Sequence, residues 1–105
     1  VGGIEPLAVR EDLEHAYHLY VVRVEDRSTR ERLFAYLRGQ EIGVNVHYIP
    51  VHLRPFYRRT LGTSPGLCPV AERAYERILS LPMFPGMSQG DVNRVVDSCS
   101  SALAG

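Results

Sequence analysis

The side chains best suited to chemistry lie close together near the middle of the chain, in the run G-V-N-V-H-Y-I-P-V-H-L-R-P-F-Y at residues 43–57. His47 and His52 supply two imidazoles, Tyr48 a phenol and Arg54 a guanidinium. Such a set can bind a substrate, with arginine gripping phosphate by paired hydrogen bonds. Two imidazoles can also ligate a metal, but zinc needs three or four protein ligands and no Cys/His/Asp cluster supplies the others.

Structural interpretations compete with these chemical ones. A histidine on the polar face of an edge strand is most often simply solvated or hydrogen-bonded, and the position of Tyr48 in the alternation favours a core aromatic. Arg58 and Arg59 fit a solvated helix face, and His15 and His18 fit packing at a sheet edge. No nucleophile elbow, P-loop, dinucleotide fingerprint or zinc motif appears, so no residue is assigned a catalytic role.

Composition narrows the function further. All twelve basic residues are arginine, so the chain cannot by itself complete a mechanism that needs an amine side chain, such as a Schiff base. A formal net charge of zero removes the electrostatic argument for binding nucleic acid. No apolar run is long enough for a membrane span, and no signal-peptide pattern appears. Cys68 and Cys99 lack CxxC spacing and indicate free thiols, so we expect a cytoplasmic protein.

The first half of the chain predicts two strands with a helix between them. His15–Val24 is rich in β-formers and indicates a strand. Ser28 and Glu31 form a capping-box pattern that predicts a helix start, and Gly39 is a candidate left-handed residue at its end. The alternation within residues 43–48 then predicts a half-buried strand, closed by a proline that has no N–H to give to the sheet.

The second half predicts three helices and a short extended segment. Residues 55–61 favour a short helix stopped by Gly62, and Pro69 suits the first position of the next helix. Residues 79–84 predict a strand that Pro82 restricts to a sheet edge or strand end. Ser88 caps the final helix. The apolar residues expected on the buried sides are Val70, Ala71, Ala74, Tyr75 and Ile78 in the third helix and Val92, Val95, Val96, Cys99 and Leu103 in the last.

These elements predict an α+β fold, with a small antiparallel or mixed sheet of two to four strands and helices packed on one face. If residues 79–82 insert as an antiparallel strand between the first two, the topology is a split βαβ unit. Residues 1–14, with two glycines and a proline but no clear period, are expected to be a lead-in or linker, and residues 15–105 the domain.

Taken in order, several segments resemble the C-terminal domain of the sugar aminotransferases of the DegT/DnrJ/EryC1/StrS family. They are H-A-Y-H-L-Y-V-V-R-V from His15, the run at residues 43–57, C-P-V-A-E-R from Cys68 and L-S-L-P-M-F-P-G-M-S from Leu79. The resemblance covers residues 15–103. It implies the small domain of an aspartate-aminotransferase-like fold, which closes over the substrate side of a large N-terminal domain that this chain lacks.

The resemblance also implies a chemistry for the whole protein. Family members use pyridoxal phosphate to move an amino group, usually from glutamate, onto a nucleotide-linked keto sugar, and they are dimers. Their Schiff-base lysine lies in the large domain, so this chain alone is expected to bind no cofactor and to be inactive. His47, Tyr48 and His52 match the substrate-facing motif and imply sugar or nucleotide contacts, with Arg54 a candidate for the diphosphate. His18 and Tyr20 match the first strand and favour structural roles.

Two alternatives stay open at this stage. One is a stand-alone module that binds a nucleotide sugar or a protein partner without catalysis. The other is a fragment of the sugar dehydratases that share this fold, in which another residue replaces the lysine of the large domain. The metal-dependent enzyme built on His47 and His52 is poorly supported because its ligands are too few.

Overall fold

The structure is a computed structural model that describes residues 2–104, so Val1 of the lead-in and Gly105 of the domain lie outside the described residues. Its strands are β1 (Glu5–Pro6), β2 (Tyr20–Arg23) and β3 (Ile78–Leu81). Its α-helices are α1 (Arg27–Gly39), α2 (Pro55–Leu61), α3 (Pro69–Arg77) and α4 (Gln89–Ala104), and a 3₁₀ turn spans Val51–Leu53. No helix in this described part is long and apolar enough to cross a membrane.

The three strands form one antiparallel sheet in the order β1-β2-β3. Val22 of β2 pairs with Leu79 of β3, and an isolated antiparallel bridge joins Asn45 to Ser80 on the other side of β3. The chain therefore runs from β2 through α1 to Asn45, and β3 lies between the two ends. This is the predicted split βαβ arrangement, and the predicted α+β class is confirmed. The lead-in adds β1, which the sequence pattern did not predict.

The core lies between the sheet and the helices α1 and α4. One face of β2 and β3 meets Leu33 and Leu37 of α1, which are fully buried. Full burial of such a leucine contributes about 1.5–3 kcal/mol relative to leaving it exposed. The buried hydrophobic residues are Val22, Val24, Leu33, Leu37, Ile42, Val44, Leu79, Val95, Cys99 and Ala102.

The strand predicted over residues 43–48 is wrong in extent. Only the Asn45–Ser80 bridge forms, with backbone N–H···O distances of 2.7 and 3.2 Å. Val44 is fully buried, as the alternation predicts, but Tyr48 is 63% exposed, so its interpretation as a core aromatic is also wrong. The antiparallel register leaves little strand to pair with, because residue 43 lies opposite Pro82 and Tyr48 opposite Arg77, and both of these partners lie just beyond the ends of the four-residue β3.

The ends of α1 also differ from the predicted ones. Asp26, not Ser28, is the N-cap, and its carboxylate accepts a hydrogen bond of 2.8 Å from the Thr29 N–H. At the other end Glu41, not Gly39, takes the left-handed conformation, with φ of 61°. The Ile42 N–H then donates to the Leu37 carbonyl at 2.9 Å, which is the bond of a Schellman motif and carries Ile42 into the core.

Several local predictions for the second half are confirmed. Gly62 ends α2 with φ of 68°, and Pro69 opens α3. Ser88 and Asp91 form a reciprocal cap at the start of α4, with each side chain accepting the other's N–H at 3.0 Å. The predicted burial of the apolar residues is only partly right. No residue of α3 is buried, and Val92 and Val96 of α4 are exposed, because nothing in the described chain covers them.

Candidate functional site

The four predicted site residues lie on one excursion of the chain between Asn45 and α3. Residues 47–68, which we call the site loop, contain the 3₁₀ turn and α2. His52 is the one residue of the site loop that is buried, and α2 buries none. The site loop is therefore held by a small number of specific contacts rather than by a core of its own.

His47 is anchored to the sheet. Its Nδ1 lies 2.8 Å from the hydroxyl oxygen of Ser80, a buried residue of β3. Its ring also meets the Tyr48 ring edge-on, with centroids 4.7 Å apart. Because Nδ1 is engaged by Ser80, the other ring nitrogen is the atom left to meet a ligand. The half-buried His47 thus combines a fixed ring with one unused polar atom.

His52 is anchored to α3 instead. Its Nε2 lies 3.0 Å from a carboxylate oxygen of Glu72, and its backbone carbonyl accepts a 2.6 Å hydrogen bond from the Thr63 hydroxyl. The side chains of His52 and Glu72 are 9% and 20% exposed. Because the ring is nearly enclosed, any ligand contact from His52 must use the little surface that remains. Its placement gives it a clear structural role.

Tyr48 and Arg54 are both exposed, unlike the two histidines. Arg54 is also the N-cap residue of α2, where its carbonyl accepts the Arg58 N–H at 3.1 Å. A phenol and a guanidinium carried on an exposed surface can reach a ligand without rearranging the core. A guanidinium of this kind matches phosphate oxygens in a fork of two hydrogen bonds.

The carboxylate of Glu72 has the densest set of contacts near the site. It accepts hydrogen bonds from the backbone N–H of Gly66 at 2.9 and 3.0 Å and from that of Cys68 at 3.2 Å, besides its contact with His52. The bond from Gly66, followed by that with the His52 ring, lowers the pKa of Glu72 below its usual value. Glu72 is therefore a charged acceptor at neutral pH.

Sequence reasoning missed Ser80 and Glu72, the two residues that anchor the predicted histidines. They lie 33 and 20 residues from their partners, so no local spacing connects them. The only sequence signal was their position inside two of the recognised segments, C-P-V-A-E-R and L-S-L-P-M-F. Among residues 2–104, no group of three or more His, Cys, Asp or Glu side chains converges as a metal site would require.

The fold and the site loop define a class of protein, namely the small α+β domain of an aspartate-aminotransferase-like protein. The chain belongs to the DegT/DnrJ/EryC1/StrS aminotransferase family, whose family model matches residues 1–100. The match includes the site loop and the lead-in.

Individual relatives agree with this assignment. The chain is 38% identical over 108 residues to the spore coat polysaccharide biosynthesis protein SpsC of Bacillus subtilis, covering 99% of this chain and 28% of SpsC. It is 41% identical over 106 residues to an uncharacterised protein of Methanocaldococcus jannaschii, covering 98% of this chain and 27% of that protein.

Solved structures show the same fold. Spr1654 of Streptococcus pneumoniae, which is assigned as a sugar aminotransferase, superposes in its PMP form with a TM-score of 0.88 at 30% identity, over 95% of this chain and 26% of Spr1654. DesV of S. venezuelae superposes with a TM-score of 0.80 at 34% identity, over 95% and 26% of the two chains. The chain thus spans about a quarter of the length of its relatives.

Proposed function

We propose that this chain is the C-terminal domain of a pyridoxal-phosphate-dependent aminotransferase that moves an amino group from glutamate onto a nucleotide-linked keto sugar. The observation that carries the proposal is the family match over residues 1–100, which includes the whole site loop with its exposed Tyr48 and Arg54. The likeness to Spr1654, solved in PLP and PMP forms, supports the cofactor.

The proposed substrate contacts are the four site-loop residues. His47, Tyr48 and His52 would contact the sugar or the nucleotide, and Arg54 the diphosphate. The exposure of Tyr48 and Arg54 favours direct contact, whereas the burial of His52 favours contact through one edge of its ring. The proposal extends to a homodimer in the cytoplasm, with residues 1–14 as a lead-in or linker, which adds β1 to the sheet, and residues 15–105 as the small domain.

The residues of this chain do not fit a covalent pyridoxal phosphate site. All of its basic side chains are arginines, so it has no amine with which to hold the cofactor's aldehyde. We therefore assign the cofactor and the proton transfers to the large domain, and to this chain only binding and orientation of the sugar nucleotide. The 105-residue chain alone is expected to be inactive.

The test is an amino-transfer assay on the full-length protein that contains this chain, with glutamate and a panel of nucleotide-linked keto sugars. Arg54→Ala should raise the KM for the sugar nucleotide by about 10- to 100-fold, because a charge-assisted hydrogen bond contributes about 1.5–3 kcal/mol. Arg59→Ala removes an exposed arginine from α2, the helix that Arg54 precedes, and should leave the KM within about twofold, since surface substitutions have small effects.

The other outcomes separate the alternatives. Loss of a sugar hydroxyl without amino transfer would assign the protein to the dehydratases. Tight binding of a nucleotide sugar by the 105-residue chain, with no turnover in the full-length protein, would favour the non-catalytic module. Equal effects of the Arg54 and Arg59 substitutions on the KM would show that Arg54 is not a specific contact of the sugar nucleotide.

A further inference from the structure

The contacts of Glu72 join three points of the site loop to α3. They are the His52 ring in the 3₁₀ turn, the Gly66 N–H in the turn before α3 and the Cys68 N–H at the N-cap of α3. All three meet at one carboxylate, and the side chain that carries it is 20% exposed. A single side chain therefore sets how the site loop is attached to α3.

The site loop has few other attachments that could replace this one. Its exposed large hydrophobic residues show that it does not pack a core of its own: they are Tyr48, Val51, Phe56, Tyr57, Leu61 and Leu67. The Thr63 hydroxyl adds a second hydrogen bond, but it too is made to His52. Because Arg54 follows His52 by two residues, the position of its backbone depends on how His52 is held.

The same contact determines the protonation pattern of the His52 ring. A carboxylate only accepts hydrogen bonds, so the Nε2 facing it must carry the proton. In the neutral ring Nδ1 is then the acceptor, and a neighbouring carboxylate is the usual means of selecting one tautomer. Glu72 thereby decides which polar atom the His52 ring can offer to a ligand.

We propose that Glu72 is the positioning residue of the sugar-nucleotide site, holding His52 in one orientation and tautomer and Arg54 in its place. This inference rests on the proposed function, because the ligand is the nucleotide-linked sugar of that reaction. Glu72 itself does not touch the ligand. Its effect on binding passes through the two residues that it holds.

The test is the substitution Glu72→Gln in the full-length protein, which keeps the size of the side chain but supplies one acceptor oxygen where the carboxylate supplies two. The matched control is Glu76→Gln on the same helix, where the side chain is exposed. We expect Glu72→Gln to raise the KM for the sugar nucleotide on the order of 10- to 100-fold, because small misplacements of binding groups have effects of that size.

Two further readouts separate positioning from a general loss of structure. The half-reaction with glutamate involves no nucleotide-linked sugar, so its rate should stay within about twofold of the wild-type rate in both glutamine variants, as for a surface substitution. In ¹⁵N spectra of this chain, His52 should be protonated at Nε2 in the wild type and should lose that preference in Glu72→Ala, which leaves no acceptor facing Nε2. Equal losses in both half-reactions, or an unchanged KM in an active protein, would overturn the proposal.

A wild-type protein that transfers no amino group would instead refute the proposed function. The His52 spectra would then still decide the local claim. An Nε2–H tautomer that survives Glu72→Ala would show that Glu72 does not hold the ring.

Discussion

The imidazole Nδ1 of His47 lies 2.8 Å from the hydroxyl oxygen of Ser80, and this hydrogen bond ties the site loop to the edge of the sheet. Ser80 also forms the backbone bridge with Asn45, two residues before His47, and this is the only bridge on that side of β3 in the described chain. The ring orientation of His47 is therefore set by a strand residue, which is a more rigid support than the loop itself.

We predict that Ser80→Ala lowers the free energy of unfolding by about 0.5–1.5 kcal/mol, the usual net contribution of one hydrogen bond. Ser80 is 6% exposed, so water cannot freely replace the lost partner of His47. Urea denaturation of the chain followed by circular dichroism measures the change. Ser64→Ala in the exposed turn before α3 is the control and should change stability by less than about 0.5 kcal/mol. Equal effects of the two substitutions would contradict the assigned contact.

The start of α1 offers a direct comparison between two candidate caps. Asp26→Ala should lower the free energy of unfolding by about 1 kcal/mol, because its carboxylate satisfies the Thr29 N–H. Ser28→Ala, which alters the cap predicted from the sequence pattern, should change it by less than about 0.5 kcal/mol, since Ser28 lies inside α1 and is exposed. Thermal unfolding of both variants decides between them, and a larger loss for Ser28→Ala would reverse the assignment.

The features that were predicted correctly depend on local chemistry. Gly62 adopts a left-handed conformation that few other residues tolerate, and Pro69 suits a first helical turn. Ser88 caps α4 by accepting the N–H of Asp91, three residues further on. Each of these is decided by the residue type and its near neighbours. The order of strands and helices could be predicted from the sequence for that reason.

The features that were predicted wrongly depend on distant partners. Alternation in residues 43–48 indicates which side chains share a face but not how long the neighbouring strand is, and β3 ends after four residues. The apolar stripe of α3 indicates an apolar face but not what covers it, and Val70 is 70% exposed. Glu72 contacts His52 from 20 residues away in the sequence, and no rule of local spacing predicts such a contact.

The two cysteines should differ strongly in reactivity. Cys68 is exposed, whereas Cys99 is 2% exposed and its burial raises the pKa of its thiol, which lowers the reactive thiolate fraction. A chromogenic disulfide reagent at pH 8 should therefore modify one thiol quickly and the second only as the protein unfolds. Cys68→Ser should abolish the fast phase, and denaturant should expose both thiols in the wild type. Two fast phases in the native protein would contradict the burial of Cys99.

Acid should destabilise the domain through its hydrogen-bonded carboxylates. Hydrogen bonds from arginine side chains lower the pKa values of Glu5 and Glu31. Hydrogen bonds at the helix caps, first of all from backbone N–H groups, lower those of Asp26 and Asp91. The pKa of Glu72 is lowered by backbone N–H groups and by the His52 ring. Since the unfolded chain then binds protons more readily than the folded one, their contribution is fully present above the ordinary values of 3.8 and 4.5 and is lost as the pH falls through the lowered values.

Urea midpoints measured from pH 7 to pH 3 should consequently fall on the acid side of about pH 4.5, near the ordinary carboxyl pKa values. Asp26→Asn is the informative variant, because asparagine caps a helix about as well as aspartate but does not titrate. Its midpoint at pH 7 should stay close to that of the wild type, and its decline toward pH 3 should be shallower, since one of the five carboxylates with a lowered pKa is gone. A midpoint that is constant down to pH 3, or an Asp26→Asn decline as steep as that of the wild type, would show that these hydrogen bonds do not couple folding to proton binding.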